Sequence, residues 1–121
     1  MIARKYGKIV NLASIGAQKG VAYTTVYNAC KAGIIGMSRS LAADLGPSGI
    51  NVNCISPGLG LTKFGGAPVP PEIMNEVLTT TPARRTTTPQ DIANTVAFLV
   101  SDVSSDIMGQ NIGVDGGTSI I

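Results

Sequence analysis

The stretch Leu12-Ala-Ser-Ile-Gly-Ala-Gln-Lys-Gly-Val-Ala-Tyr-Thr-Thr-Val-Tyr-Asn-Ala-Cys-Lys31 joins the end of an apolar run to the start of a helical pattern. Three of its side chains can act together, namely Ser14, Tyr27 and Lys31. The Tyr27-x-x-x-Lys31 spacing places both side chains one turn apart on the same face of a helix. Ser14 ends the apolar run, which is typical of a strand. Open α/β sheets bind ligands where strand ends meet helix starts, so the stretch predicts a functional site.

The composition of the chain is typical of a folded globular protein. Its 121 residues suit one domain or part of one. Hydrophobic residues make up 44% and charged residues 13% of the chain, which argues against disorder. The net charge of +2 includes no run of Lys or Arg, so we expect no nucleic-acid partner. No apolar run is long enough for a membrane span, and the first residues lack a signal-peptide pattern, so we expect no membrane partner.

Two cysteines, Cys30 and Cys54, fall in a predicted helix and a predicted strand. We expect both to be small buried hydrophobic residues, because neither has a CxxC spacing. The chain has no histidine, which argues against a Ser-His-Asp hydrolase and against most transition-metal sites. We therefore expect no metal, and a reducing, cytoplasmic location.

Short apolar runs bounded by turn residues predict strands at 8–14, 50–56 and 110–114. The first run is apolar on both faces, which is typical of a central strand in a parallel sheet. Helical patterns separate the strands, at 24–45, 71–78 and 88–101. This order and spacing predict βαβ units and half of a doubly wound parallel α/β sheet.

Cap signals mark the boundaries of several elements. Thr24 or Thr25 is the predicted N-cap of the long helix. The sequence Thr-Pro-Gln-Asp at 88–91 is a favourable helix start, with Pro at the first position and Asp in the first turn. Residues 1–6 are predicted to be the end of a helix that Gly7 closes. The segment 59–88 is rich in Gly, Pro and Thr, which indicates a functional loop.

The predicted helix at 24–45 has one face of small residues, Ala29, Ala32, Gly33 and Gly36. Glycine costs about 1 kcal/mol relative to alanine in a helix, so its presence indicates close approach of a neighbouring backbone. That neighbour is either the sheet of the same chain or a second subunit. We expect a homo-oligomer that forms through this helix.

Ser14 followed by Tyr27-x-x-x-Lys31 resembles the catalytic signature of the classical short-chain dehydrogenase/reductase family. Four further segments resemble the family in the same order, at 7–11 (Gly-Lys-Ile-Val-Asn), 51–58 (Asn-Val-Asn-Cys-Ile-Ser-Pro-Gly), 89–93 (Pro-Gln-Asp-Ile-Ala) and 109–117, which ends in Val-Asp-Gly-Gly. The resemblance covers nearly the whole chain and implies a Rossmann-type fold.

The resemblance implies hydride transfer between a nicotinamide cofactor, NAD or NADP, and an alcohol or carbonyl carbon of a small molecule. Tyr27 would be the general acid or base, and Ser14 would hydrogen-bond the substrate oxygen. Lys31 would hold the nicotinamide ribose and stabilise the tyrosinate. An ammonium ~4 Å away contributes about 4 kcal/mol at an effective dielectric of ~20 but about 1 kcal/mol in water, so the site needs shielding from solvent.

Further binding residues follow from the same resemblance. Pro57, Gly58 and Thr62 would shape the nicotinamide pocket, with Thr62 near the carboxamide. The segment 59–85 would close over the substrate. A family member that reduces enoyl thioesters is disfavoured, because that branch resembles Tyr-x6-Lys rather than the spacing found here.

The Gly-rich βα turn and the catalytic asparagine of the family have no counterpart in these residues. The resemblance implies that 1–121 form the catalytic and substrate-loop half of an NAD(P)-binding Rossmann domain, without its nucleotide-binding N-terminal half. A second hypothesis is an inactive fragment that acts at most as a packing module. Without a pyrophosphate-binding turn the cofactor loses its main anchor. We then expect the 121 residues alone to bind no dinucleotide tightly and to oligomerise.

Simpler interpretations exist for each candidate residue. Ser14 could be a strand-end cap, Tyr27 a half-buried helix tyrosine, and Lys31 a solvated helix lysine. Arg84 and Arg85 could clamp a cofactor phosphate or the substrate, although solvated loop residues are the preferred interpretation. Tyr23 is expected to pack within its loop.

Overall fold

A computed structural model of the protein describes residues 1–60 and 68–121. The strands are β1 (Gly7–Leu12), β2 (Ile50–Pro57) and β3 (Asn111–Val114). The α-helices are α1 (Thr25–Leu45), α2 (Pro71–Thr80) and α3 (Pro89–Val100). Short 3-10 turns lie at 2–4, 15–17, 46–48, 102–104 and 118–120. This alternation confirms the predicted α/β class.

The three strands form one parallel sheet in the order β1-β2-β3. Leu12 of β1 lies opposite Ile55 of β2, and Pro57 of β2 lies opposite Val114 of β3. The strand in the middle is therefore β2, which is buried from Ile50 to Ser56. Within the described sheet β1 lies at the edge, with β2 as its one neighbouring strand. β1 is apolar on both faces because α1 and α3 contact it, not because it has two neighbouring strands.

One face of β2 packs against α1. Successive residues of a strand point to opposite faces, so Ile50, Val52 and Cys54 share this face. Ala42 of α1 packs with Ile50 and Val52, and Ile35 packs with Cys54. Burial of an Ile or Val side chain stabilises the fold by about 1.5–3 kcal/mol. These contacts fix α1 on the sheet and so place its first turns.

The other face of β2 carries two buried asparagines, which bind the segment after α3. Asn53 Nδ2 donates to the Ile107 carbonyl at 2.6 Å, and the Gln110 N–H donates to Asn53 Oδ1 at 3.0 Å. Asn51 Nδ2 donates to the Ser105 carbonyl at 3.0 Å. Their amides thus pair with backbone groups that burial would otherwise leave unsatisfied.

The N-termini of α1 and α3 begin where the sequence predicts, but they are capped differently. At α3, Thr88 Oγ1 accepts the Asp91 N–H at 3.2 Å and Asp91 Oδ2 accepts the Thr88 N–H at 2.8 Å, which is a capping box. At α1, Thr24 Oγ1 instead donates to the Val21 carbonyl at 2.8 Å. Its side chain therefore stabilises the loop before the helix.

The first residues differ from the prediction. A 3-10 turn covers Ile2–Arg4, and Lys5 ends it in the left-handed conformation with φ of 50°. Gly7 is already the first residue of β1. A Cβ at Gly7 would lie 2.5 Å from Met1 Sδ, so the glycine makes room for this side chain rather than closing a helix.

Cys54 is buried as expected, but Cys30 is exposed, so the prediction of a buried Cys30 is wrong. Tyr23 is also exposed, and it does not pack within its loop as expected. Across the described ranges 1–60 and 68–121, none of the helices is both long and apolar enough to cross a bilayer.

Candidate active site

Ser14 lies just beyond the end of β1, in extended backbone. The Ala13 N–H donates to the Ile55 carbonyl at 2.8 Å, which carries the parallel pairing one residue past the strand. Ser14 Oγ then accepts the Gly16 N–H at 3.1 Å and caps the 3-10 turn Ile15–Ala17. The interpretation of Ser14 as a strand-end cap is confirmed. The cap uses the oxygen as an acceptor, so the hydroxyl hydrogen remains to donate.

Tyr27 and Lys31 lie on the first turns of α1. Lys31 Nζ is 5.8 Å from the centroid of the Tyr27 ring, within the range of a cation–π contact. Lys31 Nζ also donates to the Leu12 carbonyl at 2.9 Å. The lysine therefore ties α1 to the end of β1, two residues before Ser14. The structure brings all three predicted residues to one end of the sheet.

The contact between Lys31 and Tyr27 is open to water. The Tyr27 side chain is 47% exposed, and the hydrogen bond from Lys31 to Leu12 is exposed as well. Solvent screening brings the interaction of an ammonium with a tyrosinate close to the limit of about 1 kcal/mol at ~4 Å.

Pro57 is the last residue of β2 and Gly58 follows it, at the same edge of the sheet as Ser14. The Gly58 N–H donates to the Val114 carbonyl at 2.9 Å. A Cβ at Gly58 would lie 2.8 Å from Asp115 Cα and 2.7 Å from Thr87 Oγ1, so only glycine fits there. This close approach is a structural reason for the Pro-Gly pair. Thr62, the third predicted pocket residue, lies outside the described residues.

The donor set at this end of the sheet fits a sugar diol. An ammonium has three N–H donors, and the Leu12 carbonyl takes one of those of Lys31. Two donors of the ammonium remain. That is the chemistry that the ribose hydroxyls of a nicotinamide cofactor require.

Arg85 is exposed to solvent, as expected for a loop residue, and it is also paired with a carboxylate. It forms two parallel hydrogen bonds to the carboxylate of Asp91, from Nη1 at 2.7 Å and from Nη2 at 3.0 Å. These bonds, with those from Thr88, hold the pKa of Asp91 well below its usual range, and the pairing raises the pKa of Arg85. The guanidinium thus contacts the N-terminus of α3 in this structure.

A separate open cleft of about 400 Å³ lies beside α3. Its polar wall includes Arg85, Asn94, Thr95 and the turn 113–117, and none of the three candidate catalytic residues lines it. Within the part of the chain that the structure describes, no three His, Cys, Asp or Glu side chains group to hold a metal ion.

Two contacts of the site were not predicted. The Leu12 carbonyl is the acceptor for Lys31, and a backbone acceptor carries no signal in the sequence. Asn28 follows Tyr27 and contacts Gly16 in the turn after Ser14. The sequence signal for this second contact is weak: Asn28 is a polar residue in the first turn of α1.

Comparisons with known proteins agree over nearly the whole chain. The family model described as enoyl-(acyl carrier protein) reductase matches residues 1–119. The (2S)-((R)-hydroxy(phenyl)methyl)succinyl-CoA dehydrogenase subunit BbsD of Thauera aromatica is 42% identical over 120 residues, which cover 99% of this chain and 48% of that protein. The 3-oxoacyl-(acyl-carrier-protein) reductase FabG of Chlamydia muridarum is 43% identical over 117 residues, which cover 97% and 47%.

A solved structure shows the same fold. The short-chain type dehydrogenase/reductase from Mycobacterium ulcerans superposes with a TM-score of 0.93 at 31% identity, covering 99% of this chain and 44% of that one. The chain spans about half the length of the curated relatives that it matches.

Proposed function

Because the chain belongs to the short-chain dehydrogenase/reductase family, we propose that Ser14, Tyr27 and Lys31 carry out proton transfer in an NAD(P)-dependent oxidoreductase. The substrate is a small-molecule alcohol or carbonyl compound. The observation that carries this proposal is the position of Lys31, which contacts both the Tyr27 ring and the strand end that leads to Ser14. We also propose that 1–121 form the catalytic and substrate-loop half of an NAD(P)-binding Rossmann domain.

Each residue has one chemical task in this proposal. Tyr27 Oη donates a proton to the substrate oxygen in reduction and accepts it in oxidation. Ser14 Oγ donates its hydrogen to the same oxygen, since its hydrogen bond with the Gly16 N–H leaves that hydrogen free. Lys31 stabilises the tyrosinate and binds the ribose hydroxyls with its two remaining donors. The nicotinamide cofactor, when bound, supplies or accepts the hydride.

The substrate class is proposed from the Tyr27-x-x-x-Lys31 spacing. The matching family model is described as an enoyl reductase, whereas the FabG relative is named a 3-oxoacyl reductase. The spacing here resembles the carbonyl-reducing branch, so we propose a ketone or alcohol. Pro57 and Gly58 are proposed to line the nicotinamide pocket, because β2 ends beside β1. Thr62 is proposed as a contact of the carboxamide.

The test is an assay of NADH and NADPH oxidation with simple ketones, a 3-oxoacyl thioester and an enoyl thioester. Tyr27→Phe removes the group that transfers the proton, so we expect kcat to fall by about 10²–10⁴-fold. Tyr23→Phe is the matched control, since Tyr23 is exposed on the preceding loop. Undiminished ketone reduction by Tyr27→Phe, or turnover of the enoyl thioester alone, would contradict the proposal.

A second candidate function is a non-catalytic packing module. The small-residue face of α1 favours it, because a Cβ added at Gly33 or Gly36 meets no atom of the described residues within 4 Å. This face therefore does not pack on the described sheet of the same chain. The exposure of Tyr27 points the same way, since an open site weakens its coupling to Lys31.

Calorimetry with NAD⁺, NADH, NADP⁺ and NADPH separates the two candidates. The packing module requires that the 121 residues bind none of the four nucleotides in the micromolar range and that they associate through α1. Micromolar binding of any of the four by this chain rules out the module and supports the enzyme.

A further inference from the structure

Among the buried side-chain nitrogen and oxygen atoms of the described residues, Asn28 Oδ1 has no hydrogen-bond partner. Asn28 follows Tyr27 in α1, and its backbone N–H donates to the Thr24 carbonyl at 2.8 Å. A buried polar atom without a partner is uncommon in folded proteins and costs free energy. Its presence beside Tyr27 therefore needs a physical reason.

The Asn28 side chain occupies the space that a side chain at Gly16 would take. A Cβ added at Gly16 would overlap Asn28 Oδ1, and it would lie 3.3 Å from Asn28 Cγ and 3.5 Å from Ser14 Oγ. Gly16 does not adopt a positive φ, so its backbone conformation does not demand glycine. The residue is glycine because the amide of Asn28 occupies the space that a Cβ would need.

This contact acts on Ser14 through a single hydrogen bond. Gly16, whose Cα faces the Asn28 amide, also carries the N–H that Ser14 Oγ accepts at 3.1 Å. The orientation of the Ser14 hydroxyl therefore depends on where the turn 14–16 sits. Asn28 belongs to α1, so it sets that position relative to the helix that carries Tyr27.

We propose that Asn28 is a positioning residue, whose amide holds Gly16 so that the Ser14 hydroxyl faces the substrate oxygen served by Tyr27. This inference rests on the proposed oxidoreductase function. Asn28 follows Tyr27 by one residue in the chain, and Gly16 follows Ser14 by two residues. The contact between Asn28 and Gly16 therefore links the segments that carry the two reacting groups. A misplacement of about 1 Å at such a site can reduce the rate by about 10²-fold, so a small contact has a large effect.

The test uses Asn28→Ala, Gly16→Ala and the double variant in the 121-residue chain. In Asn28→Ala we expect the Gly16 amide to exchange with deuterium at least about 10-fold faster, because the turn loses its support. We expect kcat to fall about 10–100-fold with KM changed less than about 3-fold, and the melting temperature to stay nearly the same. A lower kcat with a nearly unchanged KM and melting temperature distinguishes a positioning role from a loss of folding.

The double variant tests the steric part of the argument. Gly16→Ala alone should lower the melting temperature, because its Cβ overlaps the Asn28 amide. Adding Asn28→Ala removes that overlap and should restore the melting temperature. Additive losses in the double variant would show that the two residues do not compete for this space.

The matched control is Asn94→Ala, an exposed helical asparagine that accepts a hydrogen bond from Gln90. It should change neither the exchange of the Gly16 amide nor kcat. Unchanged exchange of the Gly16 amide in Asn28→Ala overturns the inference, whatever the activity. If the unaltered chain shows no oxidoreductase activity, the proposed function fails and the role of Asn28 in catalysis fails with it. The exchange and melting data still decide whether Asn28 holds the turn.

Discussion

Lys31 combines a structural and a proposed chemical role at the scale of one residue. Its ammonium donates to the Leu12 carbonyl and lies over the Tyr27 ring. Replacement of Lys31 would loosen the attachment of α1 to β1 and also remove the charge near Tyr27. A loss of activity in such a variant would not by itself assign a catalytic role. For this reason Tyr27→Phe, which keeps the ring in place, is the sharper test.

The two free cysteines differ in reactivity according to their surroundings. Cys54 is buried, and burial raises the pKa of its thiol, whereas Cys30 is exposed on α1. Because the thiolate is the reactive form, we expect one thiol per chain to react with a disulfide reagent in the native state and the second only after unfolding. Thiol titration before and after adding denaturant measures this.

Cys30→Ala should abolish the fast reaction, and Cys54→Ala should leave it unchanged. Slow reaction of both thiols in the native protein would contradict the exposure of Cys30.

Residue spacing predicted that Tyr27 and Lys31 lie close together, but it did not predict which residues are buried. Tyr27 and Lys31 meet because four residues make one helical turn, which the sequence states directly. The prediction that Cys30 is buried was wrong. Tertiary packing decides which face of α1 meets the sheet, and the spacing of residues does not show it. The contact of Asn28 with Gly16 was missed for the same reason, since its partner lies in a different element.

At the scale of one element, the N-terminus of α3 has the most complete set of polar contacts. Asp91 caps the backbone of Thr88 and also receives two hydrogen bonds from Arg85. The negative charge lies at the positive end of the helix dipole, which adds to its stabilisation. The sequence predicted the cap from Thr88 and Asp91, but it did not predict Arg85 as a partner.

The low pKa of Asp91 makes this helix start sensitive to acid. The bonds from Arg85, and then those from Thr88, hold the pKa of the folded carboxyl well below the value of about 4 in an unfolded chain. Its contribution to stability is therefore fully present above about pH 5. It is lost as the pH falls from there toward the lowered pKa of the folded state.

We expect Asp91→Asn to lower the free energy of unfolding at pH 7, and the gap to the unaltered protein to shrink between pH 5 and pH 3. Urea unfolding at a series of pH values measures this. Asp106→Asn is the control, because Asp106 is exposed. A gap that stays constant across this range would mean that the charge of Asp91 does not contribute.

The order and nature of the elements were predictable, but their places in the sheet were not. The strands and helices lie within a few residues of their predicted bounds. The spacing of apolar residues and the identity of cap residues are local properties, so the sequence shows them directly. The edge position of β1 depends on which strand pairs with which. The apolar faces of β1 could not reveal it, since helices as well as strands can cover them.

At the scale of the whole molecule, the exposed face of α1 is the clearest surface for association. We expect the sedimentation coefficient to rise with concentration, and Gly33→Glu to reduce this rise by placing a charge on the face. Glutamate is the better helix former by roughly 0.5–1 kcal/mol, so the variant should not unfold α1. Sedimentation velocity at several concentrations is the measurement.

Ala97→Glu is the matched control, because Ala97 is an exposed small residue on α3. It should associate like the unaltered chain. Equal association of both glutamate variants would show that α1 is not the contact surface.

The parallel pairing of β1 with β2 also governs how fast the protein can fold. No tight turn can join two parallel strands, so their pairing must wait until the chain has closed the long loop that contains α1. Contacts between residues far apart in sequence slow folding, whereas α1 depends only on local contacts. We therefore expect α1 to form early and the docking of β1 to set the folding rate.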